Sequence, residues 1–144
     1  MKLIINTDGA SRGNPGMASV GAVISSEDGK VLKTISEFLG DKLTNNEAEY
    51  RAVIYALKEA KRIVGKQNIR ATEVEIRADS ELLTKQLNGE YKLSSEKIQK
   101  FFIEVWNLKV EFKKITFVHV MREYNKEADR LANEALDRNP QSLF

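Results

Sequence analysis

The chain has 144 residues, room for one domain and too few for two ordinary ones; 42% are hydrophobic, enough for a core, and 31% are charged, enough for a solvated surface. Lys and Arg number 23 against 21 Asp and Glu, a net charge of +2, which is too near neutral for gripping nucleic acid by charge alone. With no cysteine and one histidine, His119, the sequence excludes disulfides, thiol catalysis, thiolate metal sites and multi-histidine zinc. Any metal must be held by oxygen, as magnesium, manganese or calcium are.

Met1–Asn6 is too short an apolar stretch for a signal peptide or a membrane span, so a soluble cytoplasmic protein is expected. The N-terminal third alternates like strand. Leu3, Ile4 and Ile5 lead to Asp8; Val20, Ala22 and Ile24 share a face; Val31, Ile35 and Phe38 mark a third run. Asp28-Gly29 predicts a tight hairpin between the second and third strands. The Gly9–Gly16 segment, with its Asn and Pro, predicts a longer loop between the first and second.

A helix is predicted over Asn45–Val64, with Ala52, Val53, Ala56, Ala60, Ile63 and Val64 at helical spacing and Glu47, Arg51, Lys58, Lys61 and Arg62 opposite. Val74, Ile76 and Ala78 form a fourth strand. Asp79 is the expected N-cap of a short helix that ends near Gly89. A further helix runs over Ser94–Leu108, with Phe101, Phe102, Val105 and Trp106 read as core. Ile115–Val120 is the fifth strand, carrying His119 as a strand residue. The last helix covers Asn125–Asp137 and Pro140 closes it. The order βββαβααβα describes an α/β fold, a mixed sheet with helices packed on it. Residues 1–144 are expected to form one domain whose last few residues are a flexible tail.

Four carboxylates stand out, each with an ordinary reading beside it. Asp8, before Gly9, is either a loop-starting aspartate bonding its own backbone or a carboxylate held at a rigid strand end. Glu49 projects into the apolar stripe of its helix whereas Glu47 projects toward solvent. The helix dipole favours an acid in the first turn but does not require it to face the sheet. Asp79 is either a helix cap or a group at the strand end where open α/β sheets place ligands. Asp129 is either a solvated residue near Arg130 and Lys126 or one that looks across to the sheet. Gathered together, the four would repel one another unless cations neutralised them. Two hard cations in such a cluster suit phosphodiester hydrolysis.

Thr7-Asp8-Gly9-Ala10-Ser11-Arg12-Gly13-Asn14-Pro15-Gly16 resembles the opening signature of type 1 ribonuclease H. Thr44-Asn45-Asn46-Glu47-Ala48-Glu49, Ala78-Asp79-Ser80 and Asn125-Lys126-Glu127-Ala128-Asp129 match the family's next three motifs, in order, from about Met1 to Leu136. The resemblance implies a ribonuclease H-like fold, with three antiparallel strands, then two parallel ones, and helices on both faces of a five-stranded mixed sheet. It also implies endonucleolytic cleavage of the RNA strand of RNA–DNA hybrids, with two Mg2+ ions (Mn2+ substituting), leaving 5′-phosphate and 3′-hydroxyl ends. Asp8 would contact both ions, Glu49 and Asp79 would hold one, and Asp129 would help hold the other.

By the same resemblance Asn45 reads the RNA sugar edge, and Asn14 and Thr44 grip a phosphate of the DNA strand. Asn46 and Ser80 complete the expected substrate contacts; Arg122, in the loop where family members commonly place a histidine, is expected from its position and charge, not from the resemblance, to contact the scissile phosphate or the leaving product. Between Asp79 and Ser94 the chain is too short for the basic protrusion of many bacterial members, which implies the shorter archaeal-like form. A monomer is expected. Gln141-Ser142-Leu143-Phe144 has a partial likeness to a sliding-clamp binding peptide, without its second aromatic. A catalytically idle binding module and another metal nuclease of the same fold are the alternatives. The full carboxylate set speaks against the first, and the Thr-Asn-Asn segment before Glu49 against the second.

Overall fold

Period-two alternation makes the sheet and period-3.6 stripes cover it. The structure, a computed structural model, describes residues 1–139. In chain order it has β1 (Lys2–Gly13), β2 (Gly16–Ser26), β3 (Val31–Leu43), α1 (Asn45–Val64), β4 (Glu73–Ala78), α2 (Glu81–Leu87), α3 (Glu96–Lys109), β5 (Lys114–His119) and α4 (Lys126–Arg138), with short 3-10 turns at Ile69–Ala71 and Arg122–Tyr124. The expected element order and five-stranded mixed sheet are observed. The strands lie in the order β3-β2-β1-β4-β5, antiparallel from β3 to β1 and parallel from β1 to β5.

One face of the sheet carries the main core. Leu3 and Ile5 of β1, Val20, Ala22 and Ile24 of β2, Val74 and Ile76 of β4 and Ile115 of β5 meet Ala52, Val53, Ala56 and Leu57 of α1 and Ile98, Val105 and Leu108 of α3. Burying each of the larger aliphatic side chains contributes about 1.5–3 kcal/mol. The opposite face takes α4, whose stripe is Ala128, Leu131, Ala132, Ala135 and Leu136. Small residues let it approach closely. A Cβ on Gly21 would stand 2.1 Å from the Ala128 carbonyl oxygen, and Ser19 Oγ donates to the Ala132 carbonyl.

Two expectations give way here. The predicted loop over Gly9–Gly16 is strand: β1 and β2 pair from Leu3↔Ser26 to Gly13↔Gly16, leaving Asn14-Pro15 as the turn. Its small residues serve packing rather than a loop, since a Cβ on Gly9 would lie 2.3 Å from the Ala48 carbonyl carbon at the start of α1. Trp106 is 53% exposed instead of core. Helix α3 meets α1 along one face only, so Val105 is buried while the indole of Trp106 lies outward with the Lys109 ammonium 5.8 Å from its centroid. Phe101 and Phe102 pack at the core margin.

The Asp28-Gly29 hairpin forms as expected, with Gly29 at φ 93°. Ser95 caps α3 by accepting from the Ile98 amide. Among the described residues no helix is long and apolar enough to cross a membrane. The Pro140 stop, the expected tail and the Gln141–Phe144 likeness fall outside the described residues.

Candidate active site

The parallel ladder between β1 and β4 ends at the pair Thr7↔Ala78. The next residue on each chain is an aspartate, Asp8 and Asp79. Asp8 does not end its strand as expected, because β1 continues beside β2 with Asp8 opposite Gly21; only its β4 neighbour stops. Its carboxyl therefore stands on backbone bonded to β2 at the place where the sheet opens.

Asp79 is freed by its neighbour. Ser80, not Asp79, caps α2, its Oγ accepting from the Leu83 amide at 3.1 Å. A hydroxyl and a carboxylate are both good caps, and the chain uses the one that leaves the charge available. The Asp79 carbonyl lies 3.3 Å from His119 Nε2, at the exposed end of β5.

Glu49 reaches the same point from α1. It is 6% exposed, and its Oε1 accepts the Gly9 N–H at 2.5 Å. One oxygen from each of Asp8, Glu49 and Asp79 can be chosen so that all lie within 4.8 Å of one another. Asp129, from the first turns of α4, completes the wall of an open cavity of about 490 Å³, shared with Ser11, Asn45, Ser80, Arg122 and Asn133. All four sequence-selected carboxylates thus line one cavity.

The electrostatics are those of crowded acids. Burial first, and then the Glu49 charge, push the Asp8 carboxyl far above its ordinary range. Burial also raises Glu49, while its hydrogen bonds to Asp8 and to the Gly9 amide pull it down. Both shifts favour the protonated form of this crowded pair. Asp79 is raised by burial and pulled back by the Arg122 guanidinium. Glu49 Oε2 is buried with no protein donor, and the carboxyl beside it is another acid. Such an oxygen needs either a proton or a cation. Three carboxylates with no thiolate or imidazole ligand among them suit a hard divalent ion, so the residues present fit one.

Beside the cavity, the β1–β2 turn is tied to the start of α1. Asn14 Oδ1 accepts the Asn45 amide at 3.0 Å, and Thr44 Oγ1 accepts the Glu47 amide at 3.1 Å. Asn14, Thr44 and Asn45 are therefore brought together, with Asn45 in the cavity. Asn46 turns elsewhere: its Nδ2 donates to Gln86 Oε1, which also accepts the Tyr50 hydroxyl. Ser80 and Arg122 line the cavity.

Glu47 departs from its expectation. It is 7% exposed rather than solvated, because α3 covers that side of α1 and places Lys97 Nζ 3.9 Å from its Oε1. Two further residues carry no role in the sequence reading. Asn125 begins α4 without a side-chain capping bond; it instead donates to the Thr7 carbonyl at 2.9 Å and accepts from Asn6. Asn133 donates to Asp129. Its spacing of four residues from Asp129 is the signal that could have found it.

A family model described as "Reverse transcriptase-like" matches residues 6–135. The curated Ribonuclease HI of Halobacterium salinarum is 40% identical over 130 residues, covering 90% of this chain and 62% of that protein. The crystal structure of RNase H1 from the same archaeon superposes with a TM-score of 0.89 at 37% identity, over 96% of this chain and 100% of that one. LC11-RNase H1, solved in complex with an RNA/DNA hybrid, superposes with a TM-score of 0.89 at 42% identity, over 94% and 97%. A bifunctional protein of Mycobacterium tuberculosis is 37% identical over 99% of this chain; the chain spans 37% of that relative's length.

Proposed function

Because this chain belongs to the type 1 ribonuclease H family, we propose that it hydrolyses the RNA strand of RNA–DNA hybrids as a monomeric endonuclease. The observation that carries this reading is the convergence of Asp8, Glu49 and Asp79 within 4.8 Å in a cavity that Asp129 completes. The hybrid-bound LC11 relative supports the choice of substrate.

In the reaction, the oxygen of water bonds to phosphorus as the P–O3′ bond breaks. The departing 3′ oxygen takes up a proton, and the products carry a 5′-phosphate and a 3′-hydroxyl. Asp8, Glu49, Asp79 and Asp129 would hold two Mg2+ ions, with Mn2+ able to substitute. When bound, these ions neutralise the approaching phosphate and activate the attacking and leaving oxygens.

The chain's own groups do the rest. The Gly9 amide fixes one Glu49 oxygen, so that the carboxylate meets the cavity in one orientation. Arg122 brings a guanidinium beside Asp79, where it can take the charge of the cut phosphate. Asn14, Thr44 and Asn45, tied together by the Asn14–Asn45 bond and the helix cap, present a polar ledge for the two backbones. Sugar hydroxyls on one strand and backbone shape on the other give recognition without sequence preference. Ser80 would join this ledge from its place as the α2 cap, while Asn46, held on Gln86, would support it from behind.

The test uses end-labelled RNA annealed to DNA, with single-stranded RNA and duplex DNA as controls, in Mg2+, Mn2+ or EDTA. Cleavage of the hybrid RNA that requires metal and is lost in Asp79→Asn is the expected result. A hybrid that binds but stays whole would make the chain a binding module. Cleavage of DNA would place it with another nuclease of this fold.

A further inference from the structure

We propose that Asn133 is a positioning residue, whose side-chain amide holds the Asp129 carboxylate and through it the ion that Asp129 would bind; the inference rests on the function proposed above. Asn133 lies one helical turn beyond Asp129 on α4 and lines the same cavity. Its Nδ2 donates twice to that one residue, to the Asp129 carbonyl at 2.9 Å and to Asp129 Oδ1 at 3.2 Å. The first bond fixes the amide and the second fixes the acid. One carboxylate oxygen is thereby held by the amide.

Asp129 needs such a partner more than the other three acids do. Asp8 grows from paired strand, Glu49 is held by the Gly9 amide, and Asp79 sits on the last turn of chain before a capped helix. Asp129 is half-buried, comes from a helix face, and lies outside the group of three whose oxygens come within 4.8 Å. The N-cap of its helix offers no help, because the Asn125 side chain is spent on β1. A free aspartate would exchange among its rotamers.

The chemical type of the partner matters. A lysine or arginine at position 133 would pair with Asp129 and compete with a cation for it. An amide donates without neutralising, so the carboxylate is oriented and keeps its full charge. Groups that orient metal ligands in this way typically contribute about 10–100-fold in metal affinity or activity.

The experiment counts bound Mn2+ on the full chain by the electron paramagnetic resonance signal of the free ion. It compares the wild type, Asn133→Ala, Asp129→Asn and the double variant. Alanine is a strong helix former, so α4 is retained. The expected result is a dissociation constant for the ion at Asp129 raised about tenfold in Asn133→Ala. That ion should be lost in Asp129→Asn, and the double variant should behave as Asp129→Asn does. In parallel, the Mg2+ concentration giving half-maximal cleavage at saturating hybrid rises by a similar factor in Asn133→Ala.

Identical Mn2+ binding by wild type and Asn133→Ala would overturn the proposal. So would separate losses that add in the double variant, since a residue acting through Asp129 has nothing left to act on once that carboxylate is gone. If the wild type cuts no hybrid while Asn133→Ala still weakens Mn2+ binding, the reading of the function falls and the positioning role stands.

Discussion

Burial and the Glu49 charge favour the protonated form of the Asp8 carboxyl, and that direction fixes how stability responds to pH. Below the ordinary aspartate pKa of about 4, the folded and unfolded chains both hold this proton. Above it the unfolded chain releases the proton and the folded chain retains it, so stability falls as pH rises through neutrality. In EDTA the denaturation midpoint of the wild type should therefore decrease between about pH 5 and pH 8. Asp8→Asn should flatten that decline; an equal slope in both proteins would show that the proton resides elsewhere. Gly9 offers a second residue-scale test. A Cβ there meets the Ala48 and Glu49 backbone at 2.3 Å, so Gly9→Ala must displace the start of α1. The expected loss is about 1–3 kcal/mol of stability, with a fall in hybrid cleavage because Glu49 moves with its helix; unchanged melting and activity would contradict the close packing.

At the scale of elements, the helix starts position the acids. Ser80→Ala removes the cap of α2 and should cost about 1 kcal/mol, measured by denaturant unfolding, with cleavage reduced because Asp79 immediately precedes the cap. Thr84 Oγ1 bonds to the Ser80 and Glu81 carbonyls, but neither bond replaces the lost acceptor. The same junction shows where the sequence was ambiguous. In Asp79-Ser80 either residue is a competent cap, and only the path of the chain decides which turns away. Glu49 was legible because one apolar stripe runs along α1 and the carboxylate lies within it. Glu47 was not, because its burial depends on α3, some fifty residues later in the chain. The β1–β2 hairpin was misread for a related reason: Gly9, Ala10 and Ser11 look like loop until the helix that needs them small is in place.

The molecule as a whole separates its core from its chemistry. The apolar cluster between the sheet and helices α1 and α3 contains none of the four acids, so chelation should leave the protein folded. A bound ion adds stability by mass action, about 2.7 kcal/mol at one hundred times its dissociation constant. For a chain of this size that corresponds to a rise in melting temperature on the order of 5–10 °C. Differential scanning with Mg2+ and with EDTA checks this, and the rise should be smaller in Asp79→Asn. Element order and the β2–β3 hairpin were readable from periodicity and turn chemistry because they depend on local pattern, whereas the strand arrangement and the helices on both faces came from the family resemblance. The ledge and the cavity depend on side chains meeting across long separations, where periodicity carries no information.

The bond from Asn125 to the Thr7 carbonyl closes a loop of 118 residues, and it joins the segment carrying the last acid to the strand carrying the first. Helix α4 thus brings Asp129 to the sheet from far along the chain, and the cavity has its fourth acid only where that contact is closed.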